Sequence, residues 1–111
     1  MTPTDSFRYE VEQSPNDEQG NKVTTIKCHG RLISENTNEI KEVVKPLLPL
    51  GGRIVIDLSD LNYLDSSGLG ALVALKASAI KQGMCILQLV KVTPRVLELM
   101  RLTNLAQLLT S

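Results

Sequence analysis

The run Leu64-Asp65-Ser66-Ser67-Gly68-Leu69-Gly70 sets two adjacent hydroxyls between a strand-like stretch and a helix-like stretch. A serine in that position can accept a phosphoryl group or, with a base beside it, act as a nucleophile. The structural alternative is capping, because Asp65, Ser66 and Ser67 are all residue types that close a helix N-terminus. Nucleophilic attack needs a base, and His29 is the one imidazole in the chain. His29 falls at the end of a predicted strand, and the serine pair lacks a Gly-x-Ser-x-Gly elbow, so hydrolysis is disfavoured. Asp57, at a strand end, suits a phosphoaspartate acceptor, but the acidic pair needed to hold magnesium is missing, since Asp17-Glu18 lies in a polar loop. Turn and cap chemistry accounts for Asp57, Asp60 and Asp65. Gly68-x-Gly70 lacks the third glycine of a nucleotide fingerprint. Cys28 and Cys85 show no metal-ligand or redox spacing and read as small buried hydrophobes in a reducing compartment. The expectation is a protein with no catalytic residues, no metal and no cofactor.

With 111 residues, the chain has room for one modest core, so a single domain over 1–111 is expected. Twelve basic residues balance twelve acidic ones and aromatics make up 3%, which leaves neither a field nor stacking rings for nucleic acid. Met1 to Ser6 has neither a basic start nor an apolar core, and no apolar run approaches the roughly 18 residues of a membrane span. These features predict a soluble cytoplasmic protein without direct membrane insertion.

The elements that must position the serines follow from periodicity. Phe7 to Glu12 alternates apolar and charged residues as an edge strand does, and the turn-forming stretch Gln13 to Lys22 joins it to a second strand over Val23 to Cys28 as a hairpin with a long, mobile tip. Gly30 ends that strand, and Ser34, Asn36 or Thr37 can cap the helix that follows. Ile40, Val43, Val44, Leu47 and Leu48 form its buried stripe, and Pro46 either kinks the helix or ends it. After Gly51-Gly52, Arg53 to Leu58 is apolar on both faces, as a central strand covered by helices on one or both sides would be. The next seven residues are predicted as a turn. From Gly68 a helix runs to Gly83 with Leu69, Leu72, Val73, the stem of Lys76 and Ile80 on its apolar face. Met84 to Val90 reads as a buried strand, Pro94 opens a helix carrying Val96, Leu97 and Met100, and Leu105 to Leu109 is too short to assign.

Strand-helix-strand steps cross over right-handed to a parallel neighbour. The predicted fold class is therefore α/β, a small mixed sheet packed by helices, with the first strand antiparallel and the remainder parallel. Ligands and partners of such sheets gather outside the carboxyl ends of the parallel strands, where the Asp65-Ser66-Ser67 turn lies. The helix N-terminus there also favours negative charge, so the fold would tolerate a phosphoserine.

The stretch Val55-Ile56-Asp57-Leu58-Ser59-Asp60-Leu61-Asn62-Tyr63-Leu64-Asp65-Ser66-Ser67-Gly68-Leu69-Gly70 closely resembles the signature of the STAS family, the sulfate-transporter and anti-sigma-factor-antagonist domains. The resemblance extends over nearly the whole chain, including Gly30, Gly83 and Thr103-Asn104-Leu105, and gives the fold class as STAS-like. Its Asp-Ser-Ser-Gly-Leu-Gly core resembles the bacterial anti-sigma-factor antagonist branch. The resemblance implies a non-enzymatic phosphoprotein of transcription control. In that branch the unphosphorylated form binds an anti-sigma factor that is also a serine kinase, which frees a sigma factor. Phosphorylation of the first serine, here Ser66, releases the partner, and a serine phosphatase resets the cycle. The docking face so implied comprises Leu64, Asp65, Ser66, Ser67, Gly68, Leu69 and Gly70, with Arg31, Ile33 and Ser34 of the Gly30 to Glu35 loop. An alternative within the fold is an adaptor that docks on a transporter ATPase or a stress-signalling complex without a phosphorylation cycle. Two departures stand out. Ile33 takes the place of an aspartate common in antagonists, and the chain stops at Ser111, short of the family's usual last helix, which would leave a surface for a homodimer.

Overall fold

The structure, a computed structural model, describes residues 7–110. Met1 to Ser6 and Ser111, which bear on the expectations about a leader and about the chain's end, lie outside the described residues. Four strands form one sheet in the order β1-β2-β3-β4: β1 Arg8–Ser14, β2 Val23–Leu32, β3 Gly52–Leu64 and β4 Cys85–Val90. β1 pairs antiparallel with β2 from Arg8 opposite His29 to Ser14 opposite Val23. The other two pairings are parallel, so the predicted mixed sheet is the one found.

The hairpin tip is organised around Asp17 rather than loose. Its Oδ1 accepts from the backbone N–H groups of Gln19 and Asn21 at 2.9 and 2.8 Å, and its Oδ2 accepts from Arg53 Nε at 3.1 Å, tying the tip to β3.

β2 runs through Gly30, predicted to end it, and stays paired with β3 to Leu32, and the largest departure from the sequence reading is β3 itself. The residues after Leu58, predicted as a turn, continue the strand to Leu64, and Asp57 therefore lies inside a strand rather than at its end. Two register shifts explain the misreading. Between Lys27 and His29, and again between Gly30 and Arg31, β3 carries one residue more than β2. Each shift is a bulge, which swings the following side chains to the other face. The inward positions become Ile54, Ile56, Leu58, Leu61 and Leu64, whose spacing lengthens from two to three and hides the strand from a period-two search.

Four α-helices accompany the sheet: α1 Thr37–Val44, α2 Ser66–Gln82, α3 Pro94–Leu102 and α4 Ala106–Thr110. Right-handed crossovers along consecutive neighbours put α1 and α2 on one face. There Ile26, Cys28, Leu32, Ile54, Ile56, Leu58, Leu87 and Leu89 pack against Ile40, Val44, Leu72, Leu75 and Met100. The α-helix ends before Pro46 and passes into a 3-10 turn, Lys45–Leu50, with proline in its first turn, where its missing N–H costs nothing. Asn36 stands at the N-cap position of α1, but its side chain makes no cap bond.

The buried stripe of α2 is Leu69, Leu72, Leu75, Lys76 and Ala79; Ile80, predicted inside, is 62% exposed. Lys76 lays its stem across the sheet and donates from Nζ to the Leu87 carbonyl at 2.6 Å. Gly83 ends the helix in the left-handed conformation, as expected. β4 starts at Cys85 and is an edge strand, which leaves Met84 and Ile86 largely exposed rather than buried.

The opposite face of the sheet carries charge. Glu12 pairs with Lys27 at 3.1 Å, and His29 stands between Glu10 and Asp60.

Candidate functional site

β3 delivers the chain to the carboxyl edge of the sheet, and Asp65 turns it into α2. Asp65 is extended, and its Oδ1 accepts from the backbone N–H of Gly68 at 2.8 Å, so among the three candidate caps it is the one in place. Its second oxygen accepts from the Ser34 N–H at 3.1 Å and clamps the loop after β2 onto the start of α2. This division leaves both hydroxyls uncommitted. Ser66 and Ser67 are exposed in the first turn, with no side-chain hydrogen bond to another described residue. The unpaired N–H groups and positive dipole end of a 17-residue helix surround them.

The neighbouring loop is held by Asn36, whose Oδ1 accepts from the Ile33 N–H at 2.8 Å and whose Nδ2 donates to the Arg31 carbonyl at 2.9 Å. Of the residues assigned to the docking face, Arg31, Ser34, Ser66, Ser67 and Gly70 are exposed, and Ile33 and Asp65 are half-buried. Leu64, Gly68 and Leu69 are buried, so they shape the face from beneath. Gly68 is pressed against the Leu32 carbonyl so closely that a Cβ would stand 2.3 Å from that oxygen.

Two features of this pole escaped the sequence reading. The Arg31 guanidinium lies 5.1 Å from the centroid of the Tyr63 ring, a cation–π distance, because Arg31 and Tyr63 are register partners across the second bulge. Beside them Tyr63, Leu64, Arg95, Val96 and Leu99 line a groove of about 260 Å³ between the end of β3 and α3. The signal for both was the extension of β3 through Tyr63, which the bulges obscured.

The competing chemistries lose their geometry. Both ring nitrogens of His29 are taken, Nδ1 by Asp60 at 2.6 Å and Nε2 by Glu10 at 2.7 Å, so no lone pair is left to serve as a base for Ser66. The Asp60 carboxylate, followed by that of Glu10, stabilises the imidazolium and raises its pKa above the ordinary 6.5. The resulting stability is complete below about pH 6.5, where the unfolded chain also binds the proton, and is lost as pH rises through the higher folded value. Urea midpoints measured from about pH 6 to about pH 9 should therefore fall in the wild type and stay flatter in His29→Gln. An unchanged slope in the variant would remove His29 as the source.

Burial alone would raise the pKa of Asp57, but hydrogen bonding with Ser59 and the Lys91 and Lys27 charges outweigh it and hold the carboxyl below the usual range. Among the described residues no cluster of three His, Cys, Asp or Glu side chains could hold a metal ion, so Asp57 has no magnesium partner set there. Both cysteines are free; burial, and then the Asp57 charge, push the Cys28 thiol up to about 12, and burial also raises that of Cys85, so both are poor nucleophiles. No described helix is long and apolar enough to cross a membrane.

Residues 16–110 match a family model described as Mlab, STAS domain. An anti-sigma factor antagonist from Mycobacterium paratuberculosis has a similar fold, with a TM-score of 0.71 at 22% identity over 96% of this chain and 86% of that one. The Bacillus cell fate determinant SpoIIAA, solved in its phosphorylated form, gives 0.66 at 16% identity over 90% and 86%. A murine anion transporter, Solute Carrier 26 family member A9 in its inward-facing state, gives 0.65 at 16% identity, with 94% of this chain covering 18% of the transporter. At these identities the likeness is one of fold.

Proposed function

Because this chain belongs to the STAS domain family, we propose that it is a phospho-switchable, cytoplasmic protein-interaction module of the antagonist kind, with Ser66 as the phosphoacceptor. The observation that carries this reading is the position of Ser66: exposed in the first turn of α2, with the cap already supplied by Asp65. The proposed partners are an anti-sigma factor with serine kinase activity and a serine phosphatase. A phosphate at Ser66 adds nearly two negative charges to a docking face and acts on a packed interface through repulsion and desolvation. Each 1.4 kcal/mol lost weakens binding about tenfold, so release needs no refolding. Aspartate, common at the Ile33 position in antagonists, is not needed to hold the loop, because Asp65 and Asn36 supply its acceptors.

Incubation with the anti-sigma kinase and ATP should add one phosphate, as read by intact mass. The modification should vanish in Ser66→Ala and persist in Ser67→Ala. Ser66→Asp should weaken partner binding with the fold intact. An unmodified Ser66, or equal binding by wild type and Ser66→Asp, would sink the switch.

A second reading is supported by the transporter neighbour, in which this fold is part of a membrane transport protein. Under it the chain is an adaptor docked on a transporter ATPase or a stress-signalling complex. Stable co-purification with such a complex, unaffected by Ser66→Asp, would favour the adaptor.

A further inference from the structure

We propose that the groove beside Ser66 seats an acidic, amphipathic helical segment of a partner protein, with its apolar side chains on Tyr63, Leu64, Val96 and Leu99 and its carboxylates on Arg31 and Arg95. The inference rests on the reading of this pole as the docking face. The walls are apolar: Leu64 and Val96 are buried beneath the groove, and Tyr63 stands 42% exposed at its rim. A space of about 260 Å³ is below the usual range for enclosing a small-molecule ligand, but it takes one or two anchor side chains of a helix laid across it.

Charge selects the occupant. Lys27, His29, Arg53 and Lys91 are all held in ion pairs with carboxylates. Arg31 and Arg95, like Arg8, Lys22, Lys41, Lys45, Lys81 and Arg101, have no carboxylate within ion-pair distance among the described residues, but these two are exposed at the groove itself. Arg95 lines the groove, Arg31 lies over the Tyr63 ring that borders it, and no acidic residue lines it. Two unpaired guanidiniums around an apolar slot complement a segment that alternates apolar anchors with carboxylates. The groove also explains how phosphate would act. Leu64, which lines it, lies two residues before Ser66, so a phosphate there would add negative charge near the groove.

The test is an amide NMR titration of the full chain with a short synthetic helix carrying leucines on one face and glutamates on the other. The same helix with lysine in place of glutamate, and anionic phosphatidylglycerol vesicles, serve as the comparison arms. The acidic helix should shift Tyr63, Leu64, Val96 and Leu99 saturably, and Arg31→Gln or Arg95→Gln should weaken it about two- to fivefold. Equal binding of the lysine helix, no saturable shift, shifts centred elsewhere, or vesicles occupying the groove in place of the helix would each overturn the proposal. Ser66→Asp separates the two readings. If it binds the acidic helix as tightly as wild type while the arginine effects hold, the groove assignment stands and the Ser66 switch fails.

Discussion

Gly68→Ala should lower the unfolding free energy by about 3 kcal/mol, while Gly70→Ala, two residues along the same helix, should raise it by about 0.5–1 kcal/mol. A Cβ at position 68 would meet the Leu32 carbonyl oxygen at 2.3 Å, its carbon at 3.0 Å and Leu64 Cδ1 at 2.8 Å. None of these can give way cheaply. The Leu32 oxygen accepts from the Asp65 N–H at 3.3 Å, and Leu64 is buried at 5% exposure. Relief requires the start of α2 to lift from β2, which strains the Asp65 clamp on Ser34 as well. At Gly70 a Cβ meets nothing within 4 Å, so only the helix-propensity gain remains. Urea unfolding of both variants reads the contrast directly, as midpoints displaced in opposite directions at constant slope. A Gly68→Ala protein as stable as wild type would mean that helix and strand do not touch as closely as described.

That contact also shows how much of the site the chain displayed in advance. The serine turn, its place at the sheet edge and the helix-ending Gly83 follow from residue types and spacing, because a cap and a helix start have local signatures, whereas Gly30, predicted to end the second strand, lies inside β2. The bulges have no such signature. Inserting one residue changes which face each later side chain meets, so Ser59 to Leu64 looked like turn residues and the Arg31–Tyr63 stack was invisible. The same holds for α2, where alanines and leucines on several faces allowed a stripe through Ile80 to be chosen over the true one through Leu75 and Ala79. The groove depends on α3 returning to the end of β3, a non-local contact that no window of sequence contains. The choice of Asp65 over the serines as cap was likewise tertiary, since its second oxygen is engaged by Ser34 on another element.

Asp65→Ala should cost about 2 kcal/mol and also slow modification of Ser66. Loss of the cap on Gly68 accounts for about 1 kcal/mol, and loss of a hydrogen bond from the Ser34 N–H to a carboxylate supplies much of the rest, softened because that N–H is exposed to water. Asp65→Ser separates the two contributions. Serine caps well but offers a single oxygen, so it should retain the Gly68 bond, release the loop after β2 and cost about 1 kcal/mol. Amide exchange would then rise at Ser34 but not at Gly68. The alanine variant has a further consequence for the switch. With no acceptor at position 65, Ser66 is the next residue able to cap, and α2 can restart one position later with the Ser66 hydroxyl turned back onto its own backbone. A hydroxyl engaged in that way is a poorer phosphoacceptor, so the kinase reaction should slow in Asp65→Ala and stay near wild type in Asp65→Ser. Equal rates in wild type, alanine and serine variants would show that the cap does not govern the availability of Ser66.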